Sequence, residues 1–244
     1  MEKQYYYAYS QYLKDKYGEK VYKLPVNLPV TCPNKKDGKG CLFCAEAGTG
    51  FEASDSSVSV FEQLAASRTK VEKRYHAHKF IAYFQNYTNT FLPLDRLLGY
   101  MEEASKVEDI VEISISTRPD CIRQDYLEAF YEFSSRTGIE VSIELGLQTV
   151  NYHTLMEMNR GHGLAEFIDA VLRIAPYHFP VCVHMILNLP GDTMDDAEES
   201  ARILSTLPIS MVKLHSLYIP KKCELYDKYI RGEIEICPKE EYLN

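Results

Sequence analysis

The chain has no apolar leader, no membrane-length apolar run, no glycine-rich dinucleotide loop and no excess of positive charge. The first residues, Met1-Glu2-Lys3-Gln4-Tyr5-Tyr6-Tyr7, lack the apolar region of a secretion signal. No stretch approaches the roughly 20 apolar residues of a membrane span, so no membrane partner is expected. Seven cysteines, an odd number, without a leader argue against a disulfide framework and for a reducing, cytoplasmic setting. No G-x-G-x-x-G follows the first strand-like run, which weakens a dinucleotide-binding reading. The net charge of -8 argues against a general nucleic-acid sponge, although Arg68, Lys70, Lys73, Arg74 and Lys79 mark one candidate basic stripe.

What remains is an ordinary apolar content and 244 residues, enough for one α/β barrel or one large doubly wound sheet. Strand-like runs at Val21–Leu28, Phe80–Phe84, Ile110–Ser116, Val141–Leu147, Val181–Leu187 and Met211–Tyr218 alternate with helical patterns. Leu94, Leu97, Leu98 and Met101 follow helical spacing, as do Leu164, Phe167, Ile168, Val171, Leu172 and Ala175. Phe61, Leu64 and Ala65 suggest a further helix. Tyr126, Leu127, Phe130 and Phe133 mark another, which Gly138 terminates. Thr193 and Asp196 read as a helix cap. The strands recur at about 30 residues, the size of one βα unit, which implies a parallel sheet with outer helices. A curved, partial (β/α)6 TIM-like barrel fits best. The expected organisation is a helical extension over 1–20, with a tyrosine-rich face, and a core over 21–236. The start of a C-terminal segment that looks truncated then occupies 237–244.

The densest chemistry is Cys32-Pro-Asn-Lys-Lys-Asp-Gly-Lys-Gly-Cys41-Leu-Phe-Cys44. Three thiolates from one short segment can hold a metal centre while leaving one coordination position open. A cubane iron–sulfur cluster normally takes four thiolates, so its fourth iron would be free for a small molecule. The competing reading is a structural zinc site completed by His76, His78 or Cys121. Barrel chemistry gathers where strands end. Unusual polar residues fall there: Gln85-Asn86-Tyr87-Thr88, Ser116-Thr117-Arg118-Pro119-Asp120, Gln148, Asn188-Leu189-Pro190-Gly191-Asp192 and His215. Arg118 reads equally as a structural salt-bridge residue. His162, His184 and His215 read as satisfied barrel histidines. Cys121, Cys182, Cys223 and Cys237 read as ordinary thiols.

Taken with Glu144-Leu-Gly-Leu-Gln148, Asn159-Arg-Gly-His162 and Phe84–Thr90, these motifs resemble the radical S-adenosylmethionine (radical SAM) superfamily. The similarity is to its elongator-catalytic-subunit-like branch, of the YhcC/YtqA bacterial type, over about Val21 to Tyr229. The cysteine spacing is wider than the superfamily's common C-x3-C-x2-C. The resemblance implies that Cys32, Cys41 and Cys44 bind a [4Fe-4S] cluster whose fourth iron is chelated by SAM. It implies reductive cleavage of SAM to a 5′-deoxyadenosyl radical, with electrons from a flavodoxin- or ferredoxin-type donor. Phe43 matches a position near the adenine. Gln85, Asn86, Tyr87 and Thr88 occupy the strand end that holds the methionine amino group, without the usual glutamate. Gln148 and Arg160 match ribose and carboxylate contacts. Ser116 and His184 stand where relatives place acidic SAM contacts. The implied substrate is RNA, through the side chain of the tRNA wobble uridine. A small metabolite or a protein residue is the alternative substrate. Outside catalysis, the alternatives are an iron–sulfur redox sensor or a zinc-stabilised adaptor.

Overall fold

A computed structural model describes residues 6–36, 38, 40–44 and 54–242. Helix α1 (Tyr9–Tyr17) precedes strand β1 (Val21–Val26). After β1 come the single helical turn α2 (Pro33–Lys36) and helix α3 (Val60–Tyr75). Then strands and helices alternate: β2 (Lys79–Phe84), α4 (Leu94–Ser105), β3 (Ile110–Thr117), α5 (Gln124–Thr137) and β4 (Glu140–Gln148). Helices α6 (Tyr152–Glu157) and α7 (Leu164–Ile174) lead to β5 (Val181–Leu187), α8 (Met194–Thr206), β6 (Met211–Ser216) and α9 (Glu224–Ile230). All six strands are parallel and ordered β1 to β6. The sheet curls into a half-barrel with β1 and β6 as its edges, the partial (β/α)6 barrel expected from the strand spacing.

Strand alternation sorts the side chains onto two faces. Leu24 and Val26, Phe80, Ala82 and Phe84, Ile113 and Ile115, Val141, Ile143 and Leu145, and Val181 and Val183 face the helices. They pack with Leu64, Leu97, Met101, Phe130, Phe133, Phe167 and Val171 in one continuous core. Truncating a fully buried phenylalanine such as Phe84 or Phe130 would cost about 3–5 kcal/mol. The alternate residues line the concave side and are largely polar: Lys23, Tyr83, Ser114, Ser116, Ser142, Glu144, His184 and Lys213. A half-barrel with a polar concave face fits one built to hold a ligand.

Local signals explain the element ends. Ser59 and Glu62 form a reciprocal capping box at the start of α3. Thr193 donates through its N–H and hydroxyl to Asp196 at α8. Gly138 closes α5 at φ 74°, a left-handed conformation open to glycine. At the N-terminal end of the sheet, Tyr17 Oη lies 2.6 Å from Glu112 and 2.8 Å from Glu140. Lys16 pairs with both carboxylates. The tyrosine-rich start is only partly a packed helix face. Tyr9 stacks on Tyr12, with centroids 6.1 Å apart, but Tyr6 and Tyr7 precede the helix and are exposed, while Tyr5 lies outside the described residues. The basic stripe does not form as one free surface. Arg68 is paired with Asp109 at 2.7 Å and Lys79 with Glu19 at 3.2 Å, which leaves Lys70, Lys73 and Arg74 exposed.

Candidate active site

The site is assembled where β1 ends. The Cys32 carbonyl accepts from Lys35 and Lys36 N–H, which caps α2, and Pro33 needs no donor in that first turn. The chain doubles back through Gly40, whose N–H donates to the Asn34 carbonyl, and Cys41 to Cys44 form a second tight turn. The Asn159–His162 segment clamps this loop. Leu42 N–H donates to Met158 O at 3.0 Å, and Asn159 Nδ2 donates to Gly40 O at 2.7 Å. Leu42 also anchors in a small apolar cluster with Met158, Leu189, Cys223 and Leu225.

Three donors point at the cysteine sulfurs. Asn34 Nδ2 lies 3.4 Å from Cys41 Sγ, Arg160 Nη1 lies 3.5 Å from the same atom, and Arg118 Nη1 lies 3.8 Å from Cys32 Sγ. Arg160 Nη2 donates to Gly146 O at 2.6 Å, and Arg118 Nη1 donates to Arg160 O at 2.9 Å. Arg118 also forks onto both oxygens of Asp120. Two glycines make room for the guanidiniums. A Cβ on Gly146 would come within 2.8 Å of Arg160 Nη2, and one on Gly161 within 3.1 Å of Arg118 Nη2. Burial pushes the Cys44 thiol up while Lys35 pulls it down.

An open cavity adjoins the cysteines. Its wall includes Phe43, Gln85, Tyr87, Thr88, Ser116, Gln148, Arg160 and His184, together with Lys35, Tyr83, Arg118 and Glu144. Residues from the ends of four strands, β2 to β5, and the cysteine loop thus face one space. Asn86 does not join them. Its amide donates to Asn27 Oδ1 at 2.7 Å, behind the wall, because it alternates with its neighbours along the strand end. Tyr87 (φ 54°), Gln148 (φ 84°) and Asn159 (φ 52°) hold left-handed backbones that disfavour side chains. Such strain gathers where structure serves a ligand.

His184 is held in a different way from that expected of a cofactor contact. Its Nε2 lies 2.5 Å from Glu144 Oε2 and its Nδ1 lies 3.1 Å from His215 Nε2, with the two rings stacked. Ser114 and Lys23 donate to the other Glu144 oxygen. Burial opposes ionisation of Glu144, but the His184 contact and the Lys23 and Lys213 charges outweigh it and hold the carboxyl well below its usual range. Glu144 opens the Glu144–Gln148 motif, but its sequence context alone gives it no role. A glutamate at an inward position in the buried middle of a strand is the available signal.

The donor set bears on which group the thiols suit. Among the described residues, the only His, Cys, Asp or Glu trio with ligand atoms within 4.8 Å of one another is Glu144, Cys182 and His184. The three cysteine sulfurs are therefore spread wider. A single tetrahedral zinc holds thiolates about 3.8 Å apart, given Zn–S of about 2.3 Å. A larger multi-iron cluster fits the wider spread. The proposed zinc partners fit poorly. His76 and His78 sit before β2, at the opposite end of the sheet, and burial pushes the Cys121 thiol up to about 12. The Glu144 trio already holds positive charge from lysines, and burial pushes the Cys182 thiol up to about 12, which disfavours a metal there.

A parallel half-barrel with three clustered thiols beside a strand-end cavity defines a class of cluster-dependent barrel enzymes. The radical SAM superfamily pattern matches residues 26–204, and the chain belongs to that superfamily. It is therefore a radical SAM enzyme, of a family that uses a [4Fe-4S] cluster and SAM. YtqA of Bacillus subtilis is 32% identical over 98% of this chain and 74% of its own length. The tRNA uridine(34) acetyltransferase of Methanocaldococcus infernus is 25% identical over 58% of this chain and 27% of its own. In structure, an archaeal Elp3 from Methanocaldococcus infernus superposes with a TM-score of 0.68 at 18% identity, covering 91% of this chain and 51% of that one. Among the described residues no helix is long and apolar enough to cross a membrane.

Proposed function

We propose that Cys32, Cys41 and Cys44 ligate three irons of a [4Fe-4S] cluster and that the adjoining cavity holds SAM. The observation that supports this is the convergence of three thiols and two buried guanidiniums on one cavity. When reduced, such a cluster supplies the electron that splits the sulfonium C–S bond of SAM, giving methionine and a 5′-deoxyadenosyl radical that abstracts hydrogen from the substrate.

The protein's own residues supply binding and orientation. Arg160 keeps a buried Nε without a partner among the described residues, and a carboxylate or ribose oxygen would satisfy it. Gln85, Tyr87 and Thr88 would meet the amino acid end of SAM. Gln148 would meet the ribose, and Phe43 would shield the adenine. Ser116, fixed by its 3.1 Å bond to Tyr83 Oη, would complete the wall. His184 would act there only through the pairing with Glu144.

The substrate is proposed to be RNA, at a tRNA wobble uridine side chain. The likeness to the tRNA uridine(34) acetyltransferase and to the archaeal Elp3 fold supports this. The electron donor is proposed to be a flavodoxin- or ferredoxin-type carrier of the reducing cytoplasm. A redox sensor or zinc adaptor has no use for a walled cavity beside its thiols.

The test is anaerobic reconstitution with iron and sulfide, reduction, addition of SAM and chromatography for 5′-deoxyadenosine. Production that depends on each of Cys32, Cys41 and Cys44 is expected. A full iron load with no SAM cleavage would refute the catalytic reading. Stimulation by tRNA, with a mass change in the tRNA, tests the substrate; stimulation only by a metabolite or protein extract would redirect it.

A further inference from the structure

Arg118 and Arg160 are more heavily invested than loop struts need to be. Their relative exposures are 4% and 7%, and each directs an N–H at a cysteine sulfur. Arg118 carries its own counter-charge, the forked Asp120. Arg160 has no carboxylate partner among the described residues; its neighbours are a carbonyl and a thiol. A buried cation left without an anion is costly. The anion within its reach is a Cys41 thiolate and whatever that thiolate holds.

We propose that Arg118 and Arg160 set the reduction potential of the cluster, favouring its reduced form through charge and N–H···S bonds to Cys32 and Cys41. The proposal rests on the cluster assignment made above. A cubane with two positive charges and three thiolates carries one net negative charge, and gaining one electron doubles it. Two nearby guanidiniums therefore stabilise the reduced state more than the oxidised one. Hydrogen bonds to the sulfurs act in the same direction, because they meet the electron density that reduction adds. The electron comes from a low-potential one-electron carrier or, in the assay, from dithionite. Nothing else changes oxidation state. Asp120 opposes Arg118 and so holds the potential lower than the bare guanidinium would.

The experiment is a redox titration of the reconstituted protein followed by electron paramagnetic resonance, without SAM, so that loss of a SAM contact does not enter. Arg118→Gln and Arg160→Gln are each expected to lower the reduction equilibrium at least tenfold, which is 59 mV for a one-electron couple. Arg118→Lys, which keeps the charge, should recover most of that shift. Asp120→Asn should move the potential the other way. This last variant keeps the side-chain shape at a partly exposed carboxylate, so it reports even if the arginine variants do not fold. Wild-type potentials in Asp120→Asn and in any glutamine variant that assembles its cluster would overturn the proposal. If the wild type itself builds no four-iron cluster, the cysteine assignment fails and takes this proposal with it, a result distinct from an unmoved potential.

Discussion

Adding one methyl group at Gly146 should disable the proposed SAM site while leaving the fold intact. Gly146 has an ordinary negative φ, so alanine suits its backbone. The added Cβ would stand 2.8 Å from Arg160 Nη2 and 2.9 Å from Gln148 Nε2, well inside contact distance. Both are side-chain ends, so the strand need not move. Arg160 must give up its 2.6 Å bond to Gly146 O, and with it the aim of Nη1 at Cys41. A hydrogen bond to a charged group is worth about 1.5–3 kcal/mol. If that energy is lost from the bound complex, SAM affinity should fall roughly ten- to a hundredfold. Calorimetric titration of SAM into reconstituted wild type and Gly146→Ala measures this, with thermal melts as the control for folding. Equal affinities in two proteins of equal melting temperature would refute the assignment of Arg160 as a SAM contact positioned by Gly146.

Asn86→Ala should leave SAM affinity unchanged, because the side chain bonds Asn27 behind the cavity, and should cost about 1 kcal/mol in urea unfolding. Glu144→Gln should destabilise the cluster-free protein by about 2–4 kcal/mol, since it deprives Lys23 of its anion; an unchanged urea midpoint would show that the pair contributes nothing. Acid should weaken the fold through His162 and His215. Burial pushes both imidazoles down to about 4, helped by Arg160 at His162 and by His184 and Lys213 at His215. Between that value and the usual one of about 6.5, the unfolded chain binds more protons. This stability is therefore full above pH 6.5 and is lost as pH falls toward 4, about 3 kcal/mol for His162. His162→Gln should flatten that acid limb in urea titrations between pH 7 and 4; an unaltered slope would count against a buried neutral imidazole.

The barrel was readable because period-2 and period-3.6 patterns report one-sided burial, and burial of that kind is local in sequence. Strand limits shifted by at most two residues. Val21–Leu28 shortened to Val26 and Met211–Tyr218 to Ser216, where the apolar run continues past the last ladder bond. The cysteine loop stood out by its spacing, although that spacing alone left a zinc site and a cluster equally open until the strand-end motifs were added. The partners of its sulfurs were not. Arg118 lies 86 residues from Cys32 and Arg160 lies 119 from Cys41, and nothing in a local window links them. The same holds for Asn86, whose turn away from the cavity depends on backbone direction at the end of β2, and for His184, captured by Glu144 forty residues earlier.

Sequence by itself determined the class of architecture, the thiol set and the strand-end segments from which a site is built. These follow from side-chain chemistry and short-range periodicity, which survive in a one-dimensional text. Only the tertiary structure decided which strand-end residues share the cavity, which arginine reaches which sulfur, and which carboxylate holds which imidazole. Those choices arise where six parallel strands bring distant residues into register, and in a buried site a charge is fixed by the partner that folding places beside it.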